Sequence, residues 1–146
     1  GAAGMVGGQV LDLAAEGQRP TAALVEAIHL GKTTALLRCA VRCGALLGGG
    51  DSLALEAMSA YGTALGLAFQ IVDDVLDIEG DEAALGKPIG SDLEHGKATW
   101  PAVHGLAASK QKAHELSDQA VAALAAFGPE AEPLRALAVF VVERQS

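Results

Sequence analysis

Three aspartates, Asp73, Asp74 and Asp77, stand together in one of the most apolar stretches of the chain, which reads FQIVDDVLDIEG. On a helix their spacing places them on one face, which they share with Gln70. Like charges three or four residues apart destabilise a helix by about 0.2–0.5 kcal/mol per pair. The segment 44–86 contains eight acidic residues and no basic one, so any compensating charge must come from elsewhere.

The acidic cluster has three possible explanations. It could be a solvated stripe at the end of a helix, although its flanking residues have the character of a core. It could pair with distant Lys or Arg side chains. It could hold a hard divalent cation, because Mg²⁺ takes oxygen ligands, keeps several waters and is commonly shared with the phosphates of a substrate.

Three lysines favour the cation. Lys32 lies in a helical segment with apolar residues on both sides, HLGKTTALL, whereas Lys87 and Lys97 lie in the glycine-rich stretch that follows the aspartates. Diphosphate binding requires metal ions and ammonium groups that neutralise phosphate oxygens from opposite sides. The sequence has no G-x-x-x-x-G-K-[ST] phosphate loop, so a nucleotide site of that type is not predicted.

Composition and charge narrow the class of protein. The chain has 146 residues, enough for one domain with a real core, and it is 51% hydrophobic with few aromatic residues, which favours helices over a β-sandwich. Its net charge of -8 argues against a nucleic-acid binder. The longest apolar run, 57–72, is short and is interrupted by Gln70, so it predicts a buried helix rather than a membrane span.

Two further features favour a cytoplasmic protein. Cys39 and Cys43 show no metal-ligand spacing and are predicted to be reduced, mostly buried thiols. The first residues, GAAGMVGGQ, lack the charged and apolar regions of a secretory signal peptide. We therefore expect a cytoplasmic location.

Helical periodicity runs through nearly the whole chain and predicts an all-α protein of about six helices. The helix that carries the aspartates is apolar on nearly all sides, so it should lie in the middle of a bundle. Its Gly62 and Gly66 would let a neighbouring helix approach closely. The predicted helices are Gly8–Glu16, a long helix to Leu47 with Thr21 as its N-cap, Leu53–Ile78 after an Asp51 or Ser52 N-cap, one that starts at Thr99 and Pro101, Ser109–Phe127, and Glu132–Glu143.

The segment 80–99 interrupts the helical pattern. Four glycines and Pro88 make it a loop of unusual length for a compact domain, and such loops are often binding loops. It carries Lys87 and Lys97, the two lysines that we place near the diphosphate.

Five segments of the chain match, in order, the motifs of one enzyme family. GMVGGQVLDL is similar to a G-G-Q-x-x-D segment, HLGKTTALLRCAVRCGALLGG to a K-T helix, and GLAFQIVDDVLDIEGD to the second aspartate-rich motif, F-Q-x-x-D-D-x-x-D. LGKPIGSDLEHGKATWPAVHG is similar to the loop G-K-x-x-G-x-D-x-x-x-G-K-x-T-x-P, and FVVERQS to the end of the chain. The sequence thus resembles the trans-isoprenyl diphosphate synthases, which include the farnesyl and geranylgeranyl diphosphate synthases.

The resemblance implies the C-terminal part of the isoprenoid synthase helical bundle, an all-α fold around a deep cavity. It also implies head-to-tail chain elongation, in which Mg²⁺ holds the diphosphate of an allylic prenyl substrate and isopentenyl diphosphate attacks the carbocation that forms. A homodimer is implied for the intact enzyme.

The resemblance assigns roles to individual residues. Asp73, Asp74 and Asp77 match the metal-binding motif. The candidate catalytic lysines are Lys32, Lys87 and Lys97. These lysines, together with Thr33 and Gln70, match positions that contact the allylic diphosphate. Gln9 and Phe69 match pocket positions.

The sequence also departs from the family. The first aspartate-rich motif, D-D-x-x(-x-x)-D, is absent, and so are the upstream basic residues that bind isopentenyl diphosphate. We interpret residues 1–146 as the C-terminal half of a single isoprenoid-synthase domain, with a natural half-length protein as the alternative. We expect this part to be inactive alone, and the repulsion among its aspartates to leave the end of their helix frayed or metal-free.

Three other functions are compatible with parts of the sequence. A terpene cyclase uses the same fold, but the K-T helix and the lysine loop favour a chain-elongating synthase. A regulatory or scaffold subunit would be free to lose acidic residues, whereas all three aspartates are present. A helical bundle with an acidic surface leaves the order of the five motifs unexplained.

Overall fold

The computed structural model describes residues 1–79 and 96–144, and within them every regular element is helical. A π-helical turn, Leu30–Thr34, joins the second helix to the third without a break, and a 3₁₀ turn, Pro129–Ala131, precedes the last helix. The all-α prediction is confirmed. The helices are α1 (Met5–Ala15), α2 (Ala22–His29), α3 (Ala35–Leu47), α4 (Ser52–Glu79), α5 (Trp100–His104), α6 (Leu106–Ala123) and α7 (Glu132–Glu143).

Local capping explains where two of these helices begin. The Thr21 hydroxyl accepts a hydrogen bond from the Leu24 amide at 3.3 Å, and the Asp51 carboxylate accepts one from the Ala54 amide at 2.9 Å. Thr21 was predicted as an N-cap, and Asp51 is the one of the two predicted alternatives, Asp51 and Ser52, that caps α4. α6 begins and ends earlier than predicted, because Gly105 with a φ of 82° separates it from α5 at one end and a chain of turns follows Ala123 at the other.

α4 is the central helix, as its all-round apolar sequence predicts. It packs against α2, α3, α5, α6 and α7 and supplies most of the main core. Its Tyr61 is fully buried, and the hydroxyl donates a hydrogen bond to the Leu134 carbonyl at 2.8 Å, which ties α4 to α7. Burial raises the pKa of Tyr61 to about 12.

α4 also continues without a break to Glu79, past all three aspartates. The expectation of a frayed helix end is therefore wrong. The reason is that groups from other elements contact Asp73 and Asp74: Arg144 lies beside Asp73, and His29 and the Trp100 amide lie beside Asp74. Among the described helices, none combines the length and the hydropathy that crossing a membrane requires.

Two glycines bring α4 against the π-helical turn and α3. A Cβ atom on Gly66 would lie 2.5 Å from the Thr34 Cα, and one on Gly62 would lie 2.7 Å from the Arg38 Cα. Real Cβ atoms do not approach backbone so closely. The prediction that Gly62 and Gly66 permit close helix packing is therefore confirmed.

A third glycine brings α1 against the same turn. A Cβ atom on Gly8 would lie 2.3 Å from the Gly31 carbonyl carbon. A second, smaller core of Ala15, Val25, Ile28 and Ala98 supports this region. Both α1 and α4 thus make close backbone contact with the π-helical turn.

The two cysteines differ from their predicted environment. Cys39 and Cys43 are unpaired by disulfide, as expected, but both are exposed on α3 rather than mostly buried. A hydrogen bond with the Cys39 side chain is the main reason why the pKa of Cys43 is raised above its usual value. The prediction of burial is wrong because α3 turns this side away from α4 in the part of the chain that is described.

The glycine contacts yield a stability prediction. Gly66→Ala should lower the free energy of unfolding by about 1–3 kcal/mol, because the added methyl group must displace the Thr34 backbone. Gly44→Ala is the matched control: it lies in α3 with open space where the added methyl group would lie, so it should raise stability by about 0.5–1 kcal/mol. Urea unfolding curves measure both. Equal effects of the two substitutions would contradict the close-contact account.

Candidate functional site

A small polar cleft lies where α1, the end of α2, the π-helical turn, α4 and the segment 96–99 meet. Its volume is about 80 Å³. That is room for a small polar group rather than for a long hydrocarbon chain. It is lined by Asp12, Ile28, His29, Lys32, Gln70, Asp73, Asp74, Lys97, Ala98 and Thr99.

Lys32 enters the cleft from the π-helical turn and pairs with a carboxylate of α1. Its Nζ lies 2.8 Å from Asp12 Oδ2, and the Asp12 side chain is only 12% exposed. The close contact between Gly8 and Gly31 makes this pair possible, because it brings α1 within reach of the lysine. Single π-helical turns inside α-helices are frequent at functional sites.

Asp73 is held by the last described residue of the chain. Nη2 of Arg144 lies 3.2 Å from Asp73 Oδ1 and also donates to the Phe69 carbonyl at 3.4 Å. The guanidinium carbon lies 4.2 Å from the centre of the Phe69 ring, a cation–π arrangement. Because the Asp73 side chain is 48% exposed, solvent screens this pair and its contribution to stability is small.

Asp74 is more buried than Asp73 and has different partners. The Trp100 backbone amide donates a hydrogen bond to Asp74 Oδ2 at 2.7 Å, and His29 Nε2 lies 3.3 Å from the same oxygen. The His29 ring stacks on the Trp100 ring with 5.9 Å between their centroids. The start of α5 and the end of α2 therefore converge on one carboxylate of α4.

These contacts bear on two of the three explanations for the acidic cluster, distant pairing and a solvated stripe. Distant pairing holds for Asp73, whose partner Arg144 follows it by about seventy positions in the sequence. Asp74 also has partners in the protein, His29 and the Trp100 amide. Asp77 is buried, with 2% exposure, and is not among the residues that line the cleft. A solvated acidic stripe is not consistent with these positions, because Asp77 is buried and Asp74 is contacted by groups from two other elements.

The structure brings together five of the predicted site residues, Lys32, Gln70, Asp73, Asp74 and Lys97, in the cleft. Four others lie elsewhere in the described part of the chain. Phe69 lines an apolar groove next to Arg144 instead, and Gln9, Thr33 and Asp77 are not in the cleft lining. Lys87 lies outside the described residues.

Three residues with contacts in or beside the cleft were missed by sequence reasoning. Asp12 ends the G-G-Q-x-x-D segment, so its place in that segment was an available signal. His29 precedes Lys32 by three residues, a spacing that puts both on one helix face. Arg144 carries no local signal, because only the tertiary fold brings the end of α7 to α4.

The residues that line the cleft carry one more negative than positive charge, which Arg144 beside Asp73 offsets. With His29 counted as neutral, three carboxylates, of Asp12, Asp73 and Asp74, face the ammonium groups of Lys32 and Lys97. Across residues 1–79 and 96–144, no group of three or more His, Cys, Asp or Glu side chains is arranged to hold a metal ion by itself. A cation bound here would need further ligands from a second molecule or from water.

The fold and the cleft define a class, that of helical bundles in which carboxylates and lysines face one another across a small polar site. Residues 2–126 match the Polyprenyl synthetase family. The chain belongs to this family, and the sequence resemblance is confirmed.

Individual relatives agree with this assignment. The chain is 45% identical over 148 residues to farnesyl diphosphate synthase of Escherichia coli, a match that covers 99% of the chain and 50% of the relative. It is 44% identical to geranylgeranyl diphosphate synthase of Cyanophora paradoxa, over 98% of the chain and 48% of the relative. The chain thus spans about half the length of the curated relatives it matches.

A solved structure extends the comparison to the fold. The geranylgeranyl pyrophosphate synthase of Corynebacterium glutamicum, in complex with isoprenyl diphosphate and magnesium, superposes with a TM-score of 0.86 at 27% identity. The match covers 96% of the chain and 52% of that structure.

Proposed function

We propose that this chain supplies the allylic-diphosphate side of a prenyl diphosphate synthase, a Mg²⁺-dependent prenyltransferase of isoprenoid biosynthesis. One observation carries the proposal: Asp73 and Asp74 line the same small cleft as Lys32 and Lys97. The two carboxylates can bind a divalent cation, and the two ammonium groups can contact phosphate oxygens directly.

The donor set of the cleft fits Mg²⁺. This ion is usually bound through one or two carboxylates and completes its coordination with water and substrate phosphates. Asp73 and Asp74, which both line the cleft, would provide the two carboxylates. Bound Mg²⁺ would supply Lewis-acid stabilisation of the charge on the diphosphate.

Lys32 and Lys97 would stabilise the leaving diphosphate from the protein side. In head-to-tail chain elongation the C–O bond of an allylic prenyl diphosphate breaks, and negative charge accumulates on the diphosphate oxygens. Fixed ammonium groups aimed at those oxygens lower the barrier to ionisation. Lys32 is well placed to be fixed, because Asp12 and the glycine contacts of the π-helical turn restrict its position.

Several finer assignments stay predictions. Asp77 as a metal ligand, Thr33 and Lys87 as diphosphate contacts, and Gln9 and Phe69 as pocket residues rest on the family resemblance. So do isopentenyl diphosphate as the second substrate, a homodimer for the intact enzyme and a cytoplasmic location.

Substitution of Asp73 should change the affinity for diphosphate in opposite directions with and without Mg²⁺. Asp73→Asn should weaken the affinity for inorganic diphosphate with Mg²⁺ by at least about tenfold, because it removes a ligand. Without a divalent cation the same variant should bind diphosphate about twofold to tenfold more tightly, because a repelling charge is gone and Arg144 loses its partner. Trp100, the sole tryptophan, lies beside the cleft and provides a fluorescence signal for both titrations.

Asp118→Asn is the matched control for this experiment, since Asp118 is an exposed residue of α6 and does not line the cleft. It should leave both affinities unchanged. A loss of diphosphate affinity by Asp73→Asn in the presence and in the absence of Mg²⁺ would contradict the proposed role and indicate general disruption of the cleft.

A second prediction concerns turnover. Residues 1–146, incubated with Mg²⁺, geranyl diphosphate and isopentenyl diphosphate, should form no elongated product. The reason is that the first aspartate-rich motif and the basic residues for isopentenyl diphosphate are absent from this sequence. Chromatography of radiolabelled prenyl products measures the outcome. Robust elongation would overturn the expectation of inactivity but would not contradict the proposed diphosphate site.

A further inference from the structure

We propose that His29 is a positioning residue that fixes the orientation of Asp74 in the cleft. The inference rests on the proposed function for its consequence, cation binding, but its structural part concerns the protein alone. His29 was not among the predicted site residues, and none of the roles assigned above belongs to it.

His29 is buried, and its ring has a polar contact with Asp74. The residue is 3% exposed and lies at the end of α2 beside the small core of Val25 and Ile28. A buried polar side chain costs free energy unless it has a polar partner. Among the described residues nothing hydrogen-bonds to its Nδ1, whereas its Nε2 lies 3.3 Å from Asp74 Oδ2. The polar contact of this ring is therefore directed at Asp74.

Two groups from other elements contact the same oxygen of Asp74. The Trp100 amide donates to Oδ2 at 2.7 Å, and His29 approaches the same oxygen from α2. The Trp100 ring stacks on the His29 ring, so the two groups that hold the carboxylate also hold each other. Asp74 thus has supports from two elements other than its own helix.

Asp73 and Asp74 differ in exposure and in the kind of group that they contact. Asp73 is 48% exposed and contacts a cation at the end of α7, whereas the Asp74 side chain is 13% exposed and contacts a backbone amide and an imidazole. Residues that contact a metal ligand from behind restrict its orientation, and their loss typically costs about 10–100-fold in metal affinity. We assign that role to His29.

Three substitutions separate positioning from packing. His29→Leu fills the space and removes the polar contact, whereas His29→Gln keeps an amide donor at a reach similar to that of Nε2. His29→Asn has the same chemistry with a shorter reach. His104→Leu is the matched control, because His104 lies on the Trp100 ring at 4.7 Å and does not line the cleft.

The first readout needs no metal. Three-bond NMR couplings should show one fixed χ1 rotamer for Asp74 in the metal-free parent and in the His104→Leu variant. They should show an averaged χ1 in His29→Leu, with a fixed rotamer restored in His29→Gln. Should His29→Leu fail to fold, the comparison of His29→Gln with His29→Asn gives the same test, with averaging expected only in the shorter side chain.

The second readout is Mn²⁺ affinity in the presence of inorganic diphosphate, measured by electron paramagnetic resonance. His29→Leu or His29→Asn should lose about 10–100-fold, and His29→Gln should recover most of that loss. A fixed Asp74 rotamer in His29→Leu, or in His29→Asn if His29→Leu is unfolded, would overturn the inference. A parent that binds no Mn²⁺ while His29→Leu releases Asp74 would instead contradict the proposed function and support the positioning role.

Discussion

Close backbone contact at glycines is the constraint on which the rest of the structure depends. Gly8 admits α1 to one side of the π-helical turn, and Gly66 admits that turn to α4. A single methyl group at either glycine would collide with backbone that cannot move without shifting a helix. Because Lys32 lies in the turn and Asp73 and Asp74 lie on α4, these contacts set the distance between the lysine and the carboxylates of the cleft.

The cleft balances repulsion among its carboxylates with contacts from distant elements. Arg144 reaches Asp73, His29 and the Trp100 amide reach Asp74, and Lys32 reaches Asp12. These partners explain why α4 stays helical through its acidic end. They leave the cleft close to neutral, so the charge of a bound diphosphate would need a divalent cation to offset it, and the two would complete the site together. Cation binding and substrate binding are therefore expected to depend on each other.

Sequence reasoning predicted the elements and several site residues because their signals are local. Apolar periodicity identified α4 as the central helix, and the spacing of Gly62 and Gly66 identified a close contact. The motifs singled out Lys32, Asp73 and Asp74, which line one cleft. What it missed depends on tertiary packing: Arg144 meets Asp73 only because α7 folds back along α4, and Cys39 is exposed because α3 packs on one side only in the described part of the chain. The π-helical turn likewise follows from packing against α1 and α4.

The central claim is that carboxylates and lysines of one cleft hold a divalent cation and a diphosphate together. The most direct test is a crystal structure with Mn²⁺ and inorganic diphosphate, in which anomalous scattering locates the metal. The account predicts a Mn²⁺ peak in contact with Asp73 and Asp74, and diphosphate oxygens between that metal and Lys32. Diphosphate bound in the cleft without metal, or Mn²⁺ bound away from these aspartates, would contradict it.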